Sequence, residues 1–225
     1  MSFLFYMSGS VLDEILSLES QTEVLIPLLI ISIFIISVPL SGYFYIKSVQ
    51  PAALEKEIGN KAWSLSARYR QASGIFMGIN TLCYILYFLY PLKGLPVTFP
   101  WNYPVSVLLA ILITIPSSYL LVRSIKDAGE EALTPKKEHR MYQGIYTRIR
   151  HPMALGELQF VWVFSLLLNS PVLFVLSAAW VPVFYLMCIY EEKDLVLRYG
   201  DSYLEYMKTT GRFIPKNWDV IAKKG

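Results

Sequence analysis

The sequence predicts an all-α integral membrane protein with five transmembrane helices, the last two forming a tight hairpin, plus a C-terminal interfacial amphipathic helix. Three observations predict this fold. Of the 225 residues, 55% are hydrophobic and only 16% are charged, against about 25% charged residues in an average soluble domain. Long apolar stretches alternate with short charged ones, and the basic residues gather on alternate connections. The length allows a single membrane domain, 1–225.

The first three spans are apolar stretches that follow a polar N-terminal tail. They cover residues 24–46, 72–92 and 103–122, and each is near the roughly 20 residues that a helix needs to cross the hydrocarbon core. The region 1–122 that contains them carries no motif.

The last apolar stretch, 153–190, is too long for one helix. It breaks at Asn169-Ser170-Pro171, which is a turn signal. We therefore expect two antiparallel helices joined by a tight turn.

Orientation follows from Lys and Arg, which favour the cytoplasmic side of a membrane. The segments 47–71, 123–152 and the chain after residue 190 hold five, seven and seven of them, whereas 93–102 holds one. Five spans with the N terminus outside put 19 of the 20 basic residues in the cytoplasm. A four-span arrangement would place the C-terminal seven on the wrong side.

Charge and cysteines exclude some classes of partner. The net charge is only +3, and the basic residues lie along membrane edges, so no nucleic-acid partner is predicted. Cys83 and Cys188 lie inside apolar stretches without CxxC spacing, so neither a metal site nor a disulfide framework is predicted.

Polar candidates cluster in the two cytoplasmic segments that flank the hairpin. These segments must meet at one membrane face, and they hold both histidines, His139 and His151. Glu191 and Glu192 lie at a helix C-terminus, where the helix dipole disfavours acids. Glu157 lies one turn into the fourth span, where an acid is costly unless it faces a cavity or a partner. Headgroup anchoring or snorkelling is the alternative explanation for these residues.

Several short motifs follow one another across 123–216. In chain order they are Gly144-x-Tyr146, Arg150-His151-Pro152, the hairpin, Glu191-Glu192, Tyr199-Gly200-x-x-Tyr203-x-x-Tyr206 and Gly211-Arg212-Phe213-x-Pro215. Each is weak alone. The ordered set resembles the isoprenylcysteine carboxyl methyltransferase family, whose wider relatives are the phospholipid N-methyltransferases.

The resemblance implies a membrane enzyme that binds S-adenosylmethionine at the cytoplasmic face through 123–216. The chain has no Gly-rich strand-to-helix turn of the soluble type. Carried over by position, the implied cofactor contacts are His139, Met141, Gly144, Tyr146, His151, Pro152, Met153, Ala154, Glu191 and Glu192. A carboxylate acceptor needs no base, whereas for an amine or thiol acceptor His151 and Glu157 are the candidate catalytic bases.

Two departures from the family pattern bear on the methyl acceptor. Ala154 stands where the family has Tyr, and Met187 stands where it often has an Arg that contacts substrate. The missing cation and the acidic Glu157 predict an acceptor other than a prenylated C-terminal cysteine. The acceptor class stays broad: a prenylcysteine-like carboxylate, a membrane lipid or another lipophilic small molecule.

Two other functions stay open from the sequence. One is a membrane NADPH-dependent reductase of the sterol-reductase type, which shares a similar C-terminal region. Against it, the chain has only five predicted spans and no Arg cluster for a 2′-phosphate. The other is a non-enzymatic membrane assembly or transport subunit, although no internal repeat of the transporter kind is present.

Overall fold

The computed structural model describes residues 2–129 and 143–216, with side chains from Gln21 onward. Within these ranges the chain forms eight α-helices, and the all-α prediction is confirmed. They are α1 Ser2–Ser48, α2 Pro51–Ile58, α3 Lys61–Leu89, α4 Tyr103–Ala128, α5 Pro152–Leu167, α6 Pro171–Leu176, α7 Trp180–Tyr199 and α8 Asp201–Thr209.

Four helical segments are long and apolar enough to cross a membrane. They are Gln21–Ser48, Lys61–Leu89, Tyr103–Ala128 and Pro171–Tyr199, the last formed by α6 and α7 in succession. The remaining apolar helix, α5, has 16 residues. The prediction of a membrane protein with several apolar spans is confirmed, and the number five depends on whether α5 also crosses.

The turn between α5 and α6 lies at the break that the sequence predicts. Asn169 adopts a positive φ of 52°, a conformation that Asn tolerates better than most residues. The Ser170 hydroxyl accepts a hydrogen bond from the Leu173 N–H at 3.4 Å, and Pro171 occupies the first turn of α6. An N-cap serine followed by proline is a strong helix start.

Small polar side chains join the helices within the bundle. The Ser37 hydroxyl donates to the Asn80 side-chain oxygen at 3.2 Å, and Ser41 and Ser73 share a hydrogen bond at 3.1 Å, so α1 and α3 are tied at two levels. On the other side, α4 packs on α5 at Gly156, where a Cβ would lie 2.9 Å from a carbonyl oxygen of α4. Close approach at small residues is typical of helix packing in membranes.

The outer surfaces of the helices are apolar. Leu29 of α1, Ile75 of α3 and Ile115 of α4 are each more than 60% exposed. Water would penalise so many exposed aliphatic side chains, whereas lipid would not. Meanwhile α7 contacts both α1 and α5, so the two helix pairs close into one bundle around it.

Candidate functional site

A polar cavity lies at the end of the bundle where α2 and α8 sit. Its space totals about 870 Å³ only when the open mouth is counted, and the enclosed part is about 80 Å³. Six residues predicted from the sequence line it: Tyr146, His151, Met153, Ala154, Glu157 and Glu191.

The other predicted site residues lie elsewhere. Gly144, Pro152 and Glu192 belong to the described part of the chain but not to the lining of the cavity. His139 and Met141 lie outside the described residues.

Gly144 positions Tyr146 by letting the backbone approach α4. Its φ is +63°, and a Cβ there would overlap the Asp127 carboxylate. That carboxylate accepts a hydrogen bond from the Ile145 N–H at 2.7 Å. The short 3₁₀ turn Gly144–Thr147 is thereby fastened to the end of α4, and the Tyr146 side chain is buried in the cavity wall. Burial, followed by the negative charge of Glu191, raises the pKa of Tyr146.

Glu192 is the centre of a buried ionic cluster beside the cavity. It is 3% exposed and accepts hydrogen bonds from Arg150 Nε at 2.9 Å, from Arg212 Nη2 at 2.6 Å and, within 3.1 Å, from His151 Nε2. Arg150 also donates to the Thr210 carbonyl. The Glu192 oxygens are therefore committed to the protein, and they hold α7 against the start of α5 and the end of α8.

His151 lies between two carboxylates. Its Nδ1 is 3.3 Å from Glu191 Oε2, and its Nε2 is 3.1 Å from Glu192 Oε1. Burial by itself lowers the pKa of His151, but hydrogen bonds to Cys188, Glu191 and Glu192 outweigh it and raise the pKa well above its usual range. Each ring nitrogen thus faces a carboxylate oxygen, an arrangement that stabilises the protonated form of the ring.

Glu157 stands where the polar cavity meets a second, apolar cavity. The apolar cavity has a volume of about 250 Å³ and is lined mainly by α3, α5 and α7 side chains, among them Met77, Tyr84 and Phe164. Glu157 lines both cavities. It makes no hydrogen bond or ion pair with another residue of the described part, so its carboxylate is available to a ligand.

Most of the residues that line the polar cavity lie in one segment that matches a known protein family. Residues 105–202 match the family model of phospholipid methyltransferases. Over this segment the chain is similar to phospholipid methyltransferases. The resemblance inferred from the ordered motifs is thus confirmed over this segment. No curated protein and no solved structure matches the chain.

The match to this family model suggests a membrane methyltransferase that acts on lipid-like substrates. Methyltransferases of this type normally use S-adenosylmethionine. The match therefore favours the methyltransferase interpretation over the reductase and the non-enzymatic subunit.

The polar cavity suits that cofactor chemically. S-adenosylmethionine carries an ammonium, a sulfonium and ribose hydroxyls, and a carboxylate such as Glu191 can pair with the ammonium or accept from a hydroxyl. Tyr146 and Tyr203 add aromatic rings to the lining, and aromatic faces attract cations.

Part of the cavity comes from outside the segment that matches the family model. Tyr45 of α1 and Arg70 of α3 line it, with the Arg70 guanidinium 5.8 Å from the centre of the Tyr45 ring. In the sequence, Arg70 is one of the five basic residues of the segment 47–71 and indicates only membrane orientation. Its position at the edge of an apolar stretch is the one sequence feature that could have indicated a role at the cavity.

Asp194 lines the cavity and also holds α2 in place. It is buried in α7 and accepts hydrogen bonds from the Ala52 and Ala53 N–H groups at 3.2 and 2.8 Å. These are free donors of the first turn of α2, so a side chain distant in sequence caps this helix. The sequence offered no signal for this contact.

Proposed function

We propose that the protein transfers a methyl group from S-adenosylmethionine to a lipophilic acceptor at the cytoplasmic face of the membrane. The observation that carries the proposal is the position of Glu157, at the junction of a polar and an apolar cavity. Such a junction can hold the reacting group of a lipid while its tail lies among apolar side chains.

The proposal includes a fifth crossing by α5. The backbone of Ile149, before α5, bridges to that of Gly211, after α8, so the chain must return to the face it left. The 16 residues of α5 rise about 24 Å, somewhat less than the roughly 30 Å of a hydrocarbon core. Local thinning of the bilayer accommodates such a mismatch at modest cost.

Each polar residue then has a distinct role. When bound, S-adenosylmethionine supplies a methyl group on a cationic sulfur. Glu191 binds the cofactor's ammonium or hydroxyls, and His151 positions Glu191 through their hydrogen bond. Glu157 holds an amine or thiol of the acceptor and takes its proton. Orientation of the two reactants supplies much of the catalysis in such a transfer.

Candidate site residues that look equivalent in the sequence have different roles in this proposal. His151 was a candidate base, but as an imidazolium between two carboxylates it has no free lone pair. Glu192 was a candidate cofactor contact, but its oxygens already accept from Arg150 and Arg212. We therefore assign His151 and Glu192 to positioning, Glu191 to cofactor binding and Glu157 to proton transfer.

The test is incubation of the purified protein with methyl-labelled S-adenosylmethionine and a total membrane lipid extract. Mass spectrometry should find a labelled lipid. The Glu157→Gln variant should transfer the label roughly 100-fold more slowly, the usual contribution of a general base, while its affinity for S-adenosylhomocysteine stays unchanged.

Glu205→Gln is the matched control, because Glu205 lies on α8 with its side chain 68% exposed. It should behave as the unmodified protein. Saturable NADPH binding without S-adenosylmethionine binding would overturn the proposal.

A further inference from the structure

The charged side chains around the polar cavity are mostly committed to partners within the protein. Arg150 is bound to Glu192 at 2.9 Å. Asp194 caps α2 through two backbone N–H groups. Glu191 lies 3.3 Å from His151. Arg150 and Asp194 are therefore committed to the protein, whereas Glu191 uses only its Oε2 atom in the contact with His151.

Arg70 is the exception among the cationic lining residues described above. Its Nε is buried and has no hydrogen-bond partner, and it forms no ion pair with another described residue. It is close enough to Glu157 and Glu191 to act on them electrostatically. A buried guanidinium donor left without an acceptor costs free energy, so the position favours a ligand that brings an acceptor.

The location of Arg70 on α3 relates it to the apolar cavity. Met77 and Tyr84 follow it at intervals of seven residues, and both line the apolar cavity. Seven residues are about two helical turns, so the three side chains lie along one face of α3, roughly 10 Å apart. Arg70 is at the polar end of this row and Tyr84 is at the apolar end.

We propose that Arg70 binds an anionic group in the head of the methyl acceptor, beside the reacting group that Glu157 holds. This inference rests on the proposed function and names the chemistry of the acceptor. A guanidinium can donate two parallel hydrogen bonds to a phosphate or a carboxylate. With Glu157 lining the same cavity, the site selects a head that combines an anion with a protonatable group, and the tail extends along α3.

Arg70 also changes what the absence of a cation at Met187 means for the acceptor. The cation that the family often carries at that position is absent, but Met187 lines the same cavity as Arg70. A cation from α3 therefore replaces one from α7. An acceptor with an anionic head is compatible with this cavity after all.

The experiment compares two short-chain probes by calorimetric titration into the full-length protein in a neutral maltoside detergent. One is dihexanoyl phosphatidylethanolamine, and the other is dihexanoylglycerol, which lacks the charged head. The unmodified protein should bind the first more tightly. Arg70→Gln should weaken that binding roughly tenfold or more, as expected for loss of a charged hydrogen-bond donor, and Arg70→Lys should restore part of it.

Arg68→Gln serves as the matched control, because Arg68 is an exposed residue of the same helix turn and is absent from the cavity lining. It should bind both probes as the unmodified protein does. Equal affinity of the unmodified protein for the two probes, or unchanged affinity in Arg70→Gln, would overturn the inference.

Titration with S-adenosylhomocysteine in the same preparations separates acceptor from cofactor. Its affinity should be unchanged in Arg70→Gln. If Arg70→Gln instead lost affinity for S-adenosylhomocysteine alone, the anion bound by Arg70 would be the cofactor's carboxylate and the inference would be overturned. If the unmodified protein bound the phospholipid but no S-adenosylhomocysteine, the result would contradict the proposed methyl transfer. It would still support binding of the anionic head by Arg70.

Discussion

At the scale of single residues, the site depends on a buried group of opposite charges around Glu192. Arg150, His151 and Arg212 surround one carboxylate that is almost completely buried. The hydrogen bonds to Glu192 raise the pKa of Arg212. Removing one member of such a cluster leaves the others uncompensated, which costs roughly 3–5 kcal/mol for a buried pair. The cluster therefore acts as a unit that fixes His151, and through it Glu191.

The raised pKa of His151 predicts a pH dependence of stability. An unfolded His titrates near 6.5, whereas folded His151 keeps its proton to a higher pH. Its contribution to stability is therefore fully present below about pH 6.5 and is lost as the pH rises through the folded pKa. The melting temperature in detergent should fall over this alkaline range.

His151→Gln isolates this effect from other titrating groups. The variant should melt at a lower temperature than the unmodified protein near neutral pH, and the difference should shrink as the pH rises. Parallel melting curves at all pH values would show that His151 does not carry the dependence.

Some cavity residues can be predicted from the sequence and others cannot. The two groups differ in how they reach the cavity. Tyr146, His151 and Glu191 are carried by motifs at the two ends of a short helical pair, so their meeting follows from local topology. Tyr45 and Arg70 reach the cavity only because α1 and α3 pack against α7 and α5. A single sequence does not reveal which faces of separate helices meet, and these residues could not be placed from it.

At the scale of elements, the 3₁₀ turn Gly144–Thr147 requires glycine for two separate reasons. The positive φ of Gly144 disfavours any L side chain, and the Asp127 carboxylate occupies the space that a Cβ would need. The turn carries Tyr146 into the cavity, so strain at Gly144 should be transmitted to the site.

Gly144→Ala should lower both the melting temperature and the affinity for S-adenosylhomocysteine. Gly59→Ala is the matched control, since Gly59 has nearly the same φ of 65° but nothing within 4 Å of its would-be Cβ. The control should lose only the backbone contribution, about 1–3 kcal/mol, and keep its cofactor affinity. Equal effects of both substitutions would mean that the contact with Asp127 is unimportant.

The helices show which parts of the fold hydropathy can predict. The apolar centres of the spans and the break before Pro171 follow from the sequence. The helix ends do not, because α3 begins at Lys61 rather than at residue 72, α4 continues to Ala128, and α1 extends back to Ser2. Hydropathy detects the part of a helix that faces lipid, whereas backbone hydrogen bonding continues through polar residues beyond it.

At the scale of the whole molecule, three connections meet at one end of the bundle. The start of α2 is bound to Asp194 near the end of α7, and the backbone after α8 pairs with the backbone before α5. We therefore expect all three on one side of the membrane. The connection between α3 and α4 lies at the opposite end of the helices.

This arrangement predicts the outcome of cysteine labelling in sealed vesicles of known orientation. The native Cys83 and Cys188 are buried and should not react. Lys56→Cys and Lys208→Cys should react with a membrane-impermeant maleimide from the cytoplasmic side, and Leu95→Cys from the other side. Labelling of Lys208→Cys from the side opposite to Lys56→Cys would show that α5 does not cross.

The cavity wall formed by Tyr45 and Arg70 has a consequence for how such enzymes diverge. Because these two residues lie outside the segment that matches the family, substitutions there would change which lipid head is accepted without disturbing Tyr146, His151 or Glu191. New acceptors could thus be acquired by altering α1 and α3 while the cofactor end is inherited intact. The region that looks least informative in the sequence would then be the part that distinguishes one enzyme's substrate from another's.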